Sequence, residues 1–301
     1  MRDKKIKKEE LTPDKNVDER VRERLKNIAS ELPKSVVEPQ KLCHDDKISF
    51  KCYPGIKCFT ACCRKVRINL TPYDIYRIKK RLNLSYEQFL RIYTATLSID
   101  NSPLPIPALR HKDKETEECP FVTPDGCTIY EDRPVTCRYY PIGMAIMKQY
   151  TKNSGEDFYI KIKEEHCLGH YEKTVWTIDE WRADQKADLY DGMNTDWLEV
   201  VLKAKTLGMV EFSKKSLRFF HMASTDMDMF RRFVFESKLL EAYDFEKETI
   251  QRIKDDELEL LKFAQKWLRF ILFGEGDFKL KDGALEKRIK EKQEKMRKAA
   301  P

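Results

Sequence analysis

The sequence predicts a mainly α protein with one small β-hairpin, in which a cysteine-rich metal-binding domain with short helices precedes a C-terminal α-helical region. Three observations predict it. Helix-start signatures recur before apolar runs at 71–74, 85–88 and 177–180. Apolar residues return at helical spacing over the last third of the chain. Eight of the nine cysteines fall between Cys52 and Cys167, far more thiols than packing alone requires.

Residues 1–42 read as a charged N-terminal helix and linker. A charged helical pattern from Asp18 to Ile28 leads into Leu32-Pro33 and Glu38-Pro39. No apolar signal segment precedes it, so the chain is expected in the reducing cytosol, where clustered cysteines are more often metal-binding or catalytic than bridged. An odd count of nine also leaves one thiol over from any complete set of disulfides.

The cysteine-cluster domain spans 43–175. Thr71-Pro72-Tyr73-Asp74 places an N-cap, a first-turn proline and a capping-box acid in order, predicting a helix over 72–82; Ser85-Tyr86-Glu87-Gln88 predicts a second over about 86–94. Both separate the two cysteine bursts and fold them back onto each other. Met144–Tyr150 and Phe158–Lys163, joined by Lys152-Asn153-Ser154-Gly155-Glu156-Asp157, predict the hairpin.

The helical region covers 176–278. Thr177-Ile178-Asp179-Glu180 opens a helix expected to reach about Tyr190, followed by others over Thr195–Thr206, Asp226–Leu240 and Glu246–Phe273, with Gly274 as the stop. Leu217-Arg218-Phe219-Phe220 reads as packing. Residues 279–301 form a basic helical tail.

The charge of +7 lies in the ends. Residues 1–40 carry 11 basic and 9 acidic groups and residues 279–301 carry 9 and 4, so the span between them is neutral. Without interleaved aromatics the tail offers no stacking platform, and nucleic acid is not expected as a partner. No apolar stretch approaches the roughly 20 residues of a membrane span, so a soluble protein with no membrane partner is expected. The helical region leaves room for docking a protein partner.

The chemistry rests on sulfur. The first burst, Cys52, Cys58, Cys62 and Cys63, has gaps of five, three and no residues, with Pro54-Gly55 supplying a chain reversal. Adjacent side chains diverge, so Cys62 and Cys63 either serve two centres or divide between ligation and packing. The second burst is Cys119, Cys127 and Cys137, with Cys167 following. Arg133 and Arg138 add positive charge beside this cluster, or else form surface salt bridges. Eight thiols suit two four-thiolate sites of zinc or of iron–sulfur type, and closely spaced cysteines set among prolines and aromatics tilt the reading to an iron–sulfur cluster such as [4Fe–4S]. His166 and His170 in His-Cys-Leu-Gly-His are a weak pointer to zinc. Cys43 beside His44 reads as a surface or packing residue rather than an activated nucleophile.

Phe50-x-Cys52, Cys58, Cys62-Cys63, Ile68-x-Leu70-Thr71, Cys119-Pro120-Phe121 and Gly126-Cys127-x-Ile129-Tyr130-x-x-Arg133-Pro134-x-x-Cys137-Arg138-x-Tyr140-Pro141 together resemble the YkgJ-type cysteine-cluster family. The resemblance covers residues 50–141, with Cys167 as the late cysteine, and implies zinc or iron chelation by Cys52, Cys58, Cys62, Cys63, Cys119, Cys127, Cys137 and Cys167. The gap between Cys52 and Cys58 is longer than the family pattern. A flagellin lysine-N-methylase carries a similar domain, which makes a metal-dependent modifying enzyme the alternative to a metal-binding protein serving structure, electron transfer or metal handling. The chain has no glycine-rich loop after a strand for S-adenosylmethionine and no radical-type cysteine triplet.

Overall fold

The computed structural model describes residues 35–98, 104–147, 156–207 and 212–284, with single residues beyond. The charged N-terminal helix, the hairpin tip and most of the basic tail lie outside them. The chain divides into two compact units, Met1–Phe59 with Tyr139–Trp181 and Thr60–Arg138 with Arg182–Pro301. Each unit is thus made from two stretches, and the cysteine-bearing span 43–175 contributes to both.

The first unit is built on strands. Ile142–Met147 and Glu156–Glu164 pair antiparallel as the expected hairpin, and Ser35–Leu42 joins the free side of Glu156–Glu164. Glu38 and Pro39, read from sequence as linker, therefore lie in a strand. Lys47–Ser49 pairs with Val175–Thr177. Phe50 follows at the centre of an aromatic group, edge-on to Tyr140, His170 and Trp181 at 5.8, 5.4 and 5.4 Å. Its carbonyl accepts the Trp176 indole N–H at 3.0 Å.

The second unit is mostly helical. Pro72–Arg81 and Tyr86–Tyr93 carry complete capping boxes, Thr71 with Asp74 and Ser85 with Gln88. The Glu257–Phe273 helix packs against Ala187–Thr206, Lys214–Thr225, Met227–Glu236 and Lys247–Asp255. Trp267 sits at its centre, 5.1, 5.5 and 5.2 Å from the rings of Phe219, Phe230 and Phe233. Phe220 is buried in the core and Phe219 packs against it, as expected of that aromatic run. Two short antiparallel pairs, Thr94–Ser98 with Pro105–Leu109 and Val122–Thr123 with Gly126–Cys127, complete the unit.

Three helix readings change. Helix 247–273 is interrupted at Asp256, whose extended backbone and side-chain acceptance of the Leu258 N–H restart the helix. The helix opened by Thr177 stops at Asp184; Lys186 takes the left-handed conformation and a new helix begins at Ala187. Lys214–Thr225 is helical, capped by Ser213. Gly274 ends its helix at φ 70°, where glycine has no steric cost. Among the described residues no helix is long and apolar enough to cross a membrane.

Candidate metal centre

The second unit gathers Cys62, Cys63, Cys119, Cys127 and Cys137. Cys62 and Cys63 lie in a single 3-10 turn, Ala61–Cys63, entered through Thr60 in the left-handed region at φ 66°. One backbone bond joins the two bursts: the Cys119 N–H donates to the Cys63 carbonyl at 2.8 Å. From there the chain turns through Val122–Cys127, where Gly126 at φ 122° closes a tight hairpin and returns Cys127 toward Cys119. A 3-10 turn over Tyr130–Asp132, then Arg133-Pro134, lead into the Val135–Tyr139 helix that carries Cys137. Cys119, Cys127 and Cys137 all pack against the apolar core of the unit.

Four of these thiols interact. Burial pushes the Cys137 thiol well above its ordinary range, and proximity to Cys119, Cys127 and Cys62 pushes it further. Burial likewise raises Cys119 and Cys127, Cys127 adding to the shift of Cys119 and Cys62 to that of Cys127. Backbone amides oppose these shifts. Phe121 and Val122 donate to the Cys119 sulfur, and Ile129 donates to Cys127, so in both turns the amide two residues on reaches back to the thiol. Amides aimed at sulfur stabilise thiolate, the form that binds metal. The donor set is all sulfur, which suits zinc or iron–sulfur iron. Among the described residues no three histidine, cysteine, aspartate or glutamate side chains are already arranged as a metal-holding group.

The surrounding polar groups are unusually buried. Arg133 and Arg138 are 8% and 2% exposed, which removes the surface salt bridge as their role. Arg138 donates to the carbonyls of Arg133, Gln185 and Glu131 at 3.1, 2.8 and 2.5 Å and to the Tyr190 hydroxyl at 2.9 Å. Arg133 donates to the Tyr130 carbonyl at 2.5 Å and to Gln185 Oε1. Asp132 accepts from Arg77 Nε at 2.8 Å and Arg81 Nη1 at 3.0 Å. Asp74, fully buried, accepts the Val135 N–H at 2.9 Å. Sequence reading placed Asp74 as a cap only and passed over Arg77, Arg81 and Asp132. The available signal was the four-residue spacing of Arg77 and Arg81, which puts both guanidiniums on one helix face.

Cys43, Cys52, Cys58 and Cys167 belong to the first unit. Cys58 is half-buried and its sulfur accepts the Leu168 N–H at 3.2 Å, which brings it beside the backbone of Cys167, a buried residue. That approach depends on Gly169: a Cβ there would stand 2.8 Å from Phe50 and 2.9 Å from the Lys51 carbonyl. Cys52 is exposed. Cys43 is exposed too, and His44 pairs with Asp179 at 2.6 Å. His166 pairs with Glu164 at 3.3 Å, while His170 packs on Phe50.

Residues 51–168 match the family model CxxCxxCC, described as "Putative zinc- or iron-chelating domain". The chain spaces its first burst more widely than that name, with five and three residues in the first two gaps. No curated protein and no solved structure matches the chain. Over residues 51–168 the chain is thus similar to the CxxCxxCC cysteine-cluster family, in agreement with the resemblance carried by its cysteine motifs.

Proposed function

We propose that Cys62, Cys119, Cys127 and Cys137 are the thiolates of one metal centre and that the centre is an iron–sulfur cluster serving electron transfer, metal handling or structure. The observation that carries this reading is geometric: within one unit the Cys119 amide is bonded to the carbonyl of Cys63 beside Cys62, Cys127 is paired back onto Val122, and Cys119, Cys127 and Cys137 pack on the same core. Cys63, next to Cys62 in the same turn, acts through its backbone instead, since its carbonyl holds the Cys119 amide. These four side chains would hold the metal, and because they come from distant stretches of the chain, its binding free energy would add to folding. A cluster held there supplies one-electron chemistry, tuned by the Phe121, Val122 and Ile129 amides.

Protein purified without oxygen tests the proposal. A brown protein with matching iron and labile sulfide is expected. Colourless protein with stoichiometric zinc would replace the cluster by a zinc ion on the same thiolates, and protein with neither metal removes the centre altogether.

A further inference from the structure

We propose that Cys58 and Cys167 are a redox pair, a dithiol that a disulfide of low molecular weight oxidises to an intramolecular bridge. The pair lies wholly within the first unit and does not depend on the metal centre of the second. Both residues are thiols in the structure. More than a hundred residues of chain separate them, yet the Cys58 sulfur accepts the Leu168 N–H at 3.2 Å. Leu168 follows Cys167 directly, so the dimensions of one peptide unit put the Cys167 Cα within about 5 Å of that sulfur. In a disulfide each sulfur stands about 4 Å from its partner's Cα, a distance set by the short S–S bond. The two backbones therefore already stand close to bridging separation.

Several bonds maintain that closeness. The Phe50 N–H donates to the Thr174 carbonyl at 2.9 Å, and the Lys51 N–H to the Gly169 carbonyl at 3.1 Å. The Phe50 carbonyl accepts the Trp176 indole N–H at 3.0 Å, and the Tyr53 hydroxyl donates to Glu172 at 3.2 Å. Gly169 has no Cβ to hold Phe50 and Lys51 away. The stretch leading to Cys58 is thus fastened against the stretch that follows Cys167, and oxidation needs no large movement of either.

The thiols differ in access. Cys58 is half-buried and Cys167 is buried, so a reagent reaches Cys58 first and Cys167 acts second, as an attacking thiol beside a resolving one. The Cys58 thiolate attacks one sulfur of the reagent; its S–S bond breaks, and one reagent thiolate leaves and takes a proton from solvent. The Cys167 thiolate then attacks the Cys58 sulfur, the protein S–S bond forms and the second reagent thiol leaves. Two protein thiols are oxidised with loss of two hydrogens, and one reagent disulfide is reduced to two thiols. Such a bridge in a reducing compartment is transient, which makes the pair a sensor of the thiol–disulfide balance rather than a permanent staple.

Glutathione buffers of rising oxidised fraction test this on the full chain, quenched by acid and alkylation and mapped by mass spectrometry. A Cys58–Cys167 bridge is expected, appearing and disappearing reversibly with the buffer. Cys167→Ser is expected to stop at a glutathione adduct on Cys58, Cys58→Ser to leave Cys167 unmodified, and Cys52→Ser to form the bridge as the unaltered chain does. Should a variant fail to fold, the map of the unaltered chain decides alone. Cys58 bridged to Cys52, a glutathione adduct that persists on Cys58 with Cys167 intact, or a Cys58 that resists oxidation overturns the pair. None of these outcomes bears on Cys62, Cys119, Cys127 and Cys137, whose role is read from metal content.

Discussion

Asp74 accepts the backbone N–H of Val135 at 2.9 Å, so the Pro72–Arg81 helix is tied to the first turn of the helix that carries Cys137. The same carboxylate accepts the Thr71 N–H at 2.9 Å, closing its own capping box. One buried acid therefore ends two sets of unsatisfied amides, and its position fixes where Cys137 stands relative to the rest of the unit.

Asp74 gives the fold a pH signature. Burial outweighs its amide partners and pushes the carboxyl up to about 6. A carboxyl raised on folding binds a proton more tightly in the folded chain. Its contribution to stability is therefore full below about 3.8 and is lost as pH rises through about 6. A shift of roughly two units is worth about 3 kcal/mol, and about half of that falls between pH 5 and 8. Asp74→Asn keeps the acceptor for Val135 and should flatten this dependence. Urea unfolding of both chains across that range checks it, and parallel curves would contradict the assignment.

Cys127→Ala and Cys137→Ala should each abolish stoichiometric metal and lower the melting temperature, because removing a ligand here also removes a tie between distant stretches of the fold. Cys63→Ser and Cys43→Ala should retain metal. Elemental analysis beside a thermal melt distinguishes the four. Metal retained by both of the first pair would refute the ligand set. Chelation of the wild-type metal should reproduce the fall in melting temperature.

Gly169→Ala should destabilise the first unit. Its new Cβ would meet the Phe50 ring and the Lys51 carbonyl at under 3 Å, and backbone cannot yield as a flexible side chain does. Overpacking of this kind costs about 1–3 kcal/mol. The alkylation rate of the half-buried Cys58 thiol should change as the Leu168 amide moves away from it. Wild-type stability and thiol reactivity together would show that the segment tolerates the shift.

On the metal-protein reading S-adenosylmethionine should bind negligibly by calorimetry; among the described residues no glycine-rich loop follows a strand to cradle it. Saturable binding would favour the modifying-enzyme alternative over a metal protein without methyl-transfer activity.

Three helix starts were written plainly in the chain. Thr71 with Asp74, Ser85 with Gln88 and Thr177 with Glu180 all make the reciprocal bonds their spacing predicts, because a capping box is complete within four residues. The Gly274 stop and the 142–164 hairpin are local for the same reason. The breaks at Lys186 and Asp256 were not legible. Gln185 gives its carbonyl to Arg138 and its side chain to Arg133, partners about 50 residues away, and that tertiary demand overrides helical propensity. The 35–42 strand was missed because its partner, Glu156–Glu164, lies more than a hundred residues on.

Taken alone, the order of residues determined the kind of chemistry: thiols too numerous and too closely spaced for packing, in a mainly α chain with a cysteine-cluster domain. Tertiary structure decided which thiols keep company. Cys62, Cys119, Cys127 and Cys137 influence one another within a single unit, whereas Cys52, Cys58 and Cys167 lie in the other. Spacing reports only how far the chain could reach. The Cys119–Cys63 backbone bond, the Gly126 turn and the Asp74–Val135 tie decide where it goes, and each joins groups whose affinity depends on burial that no local pattern encodes.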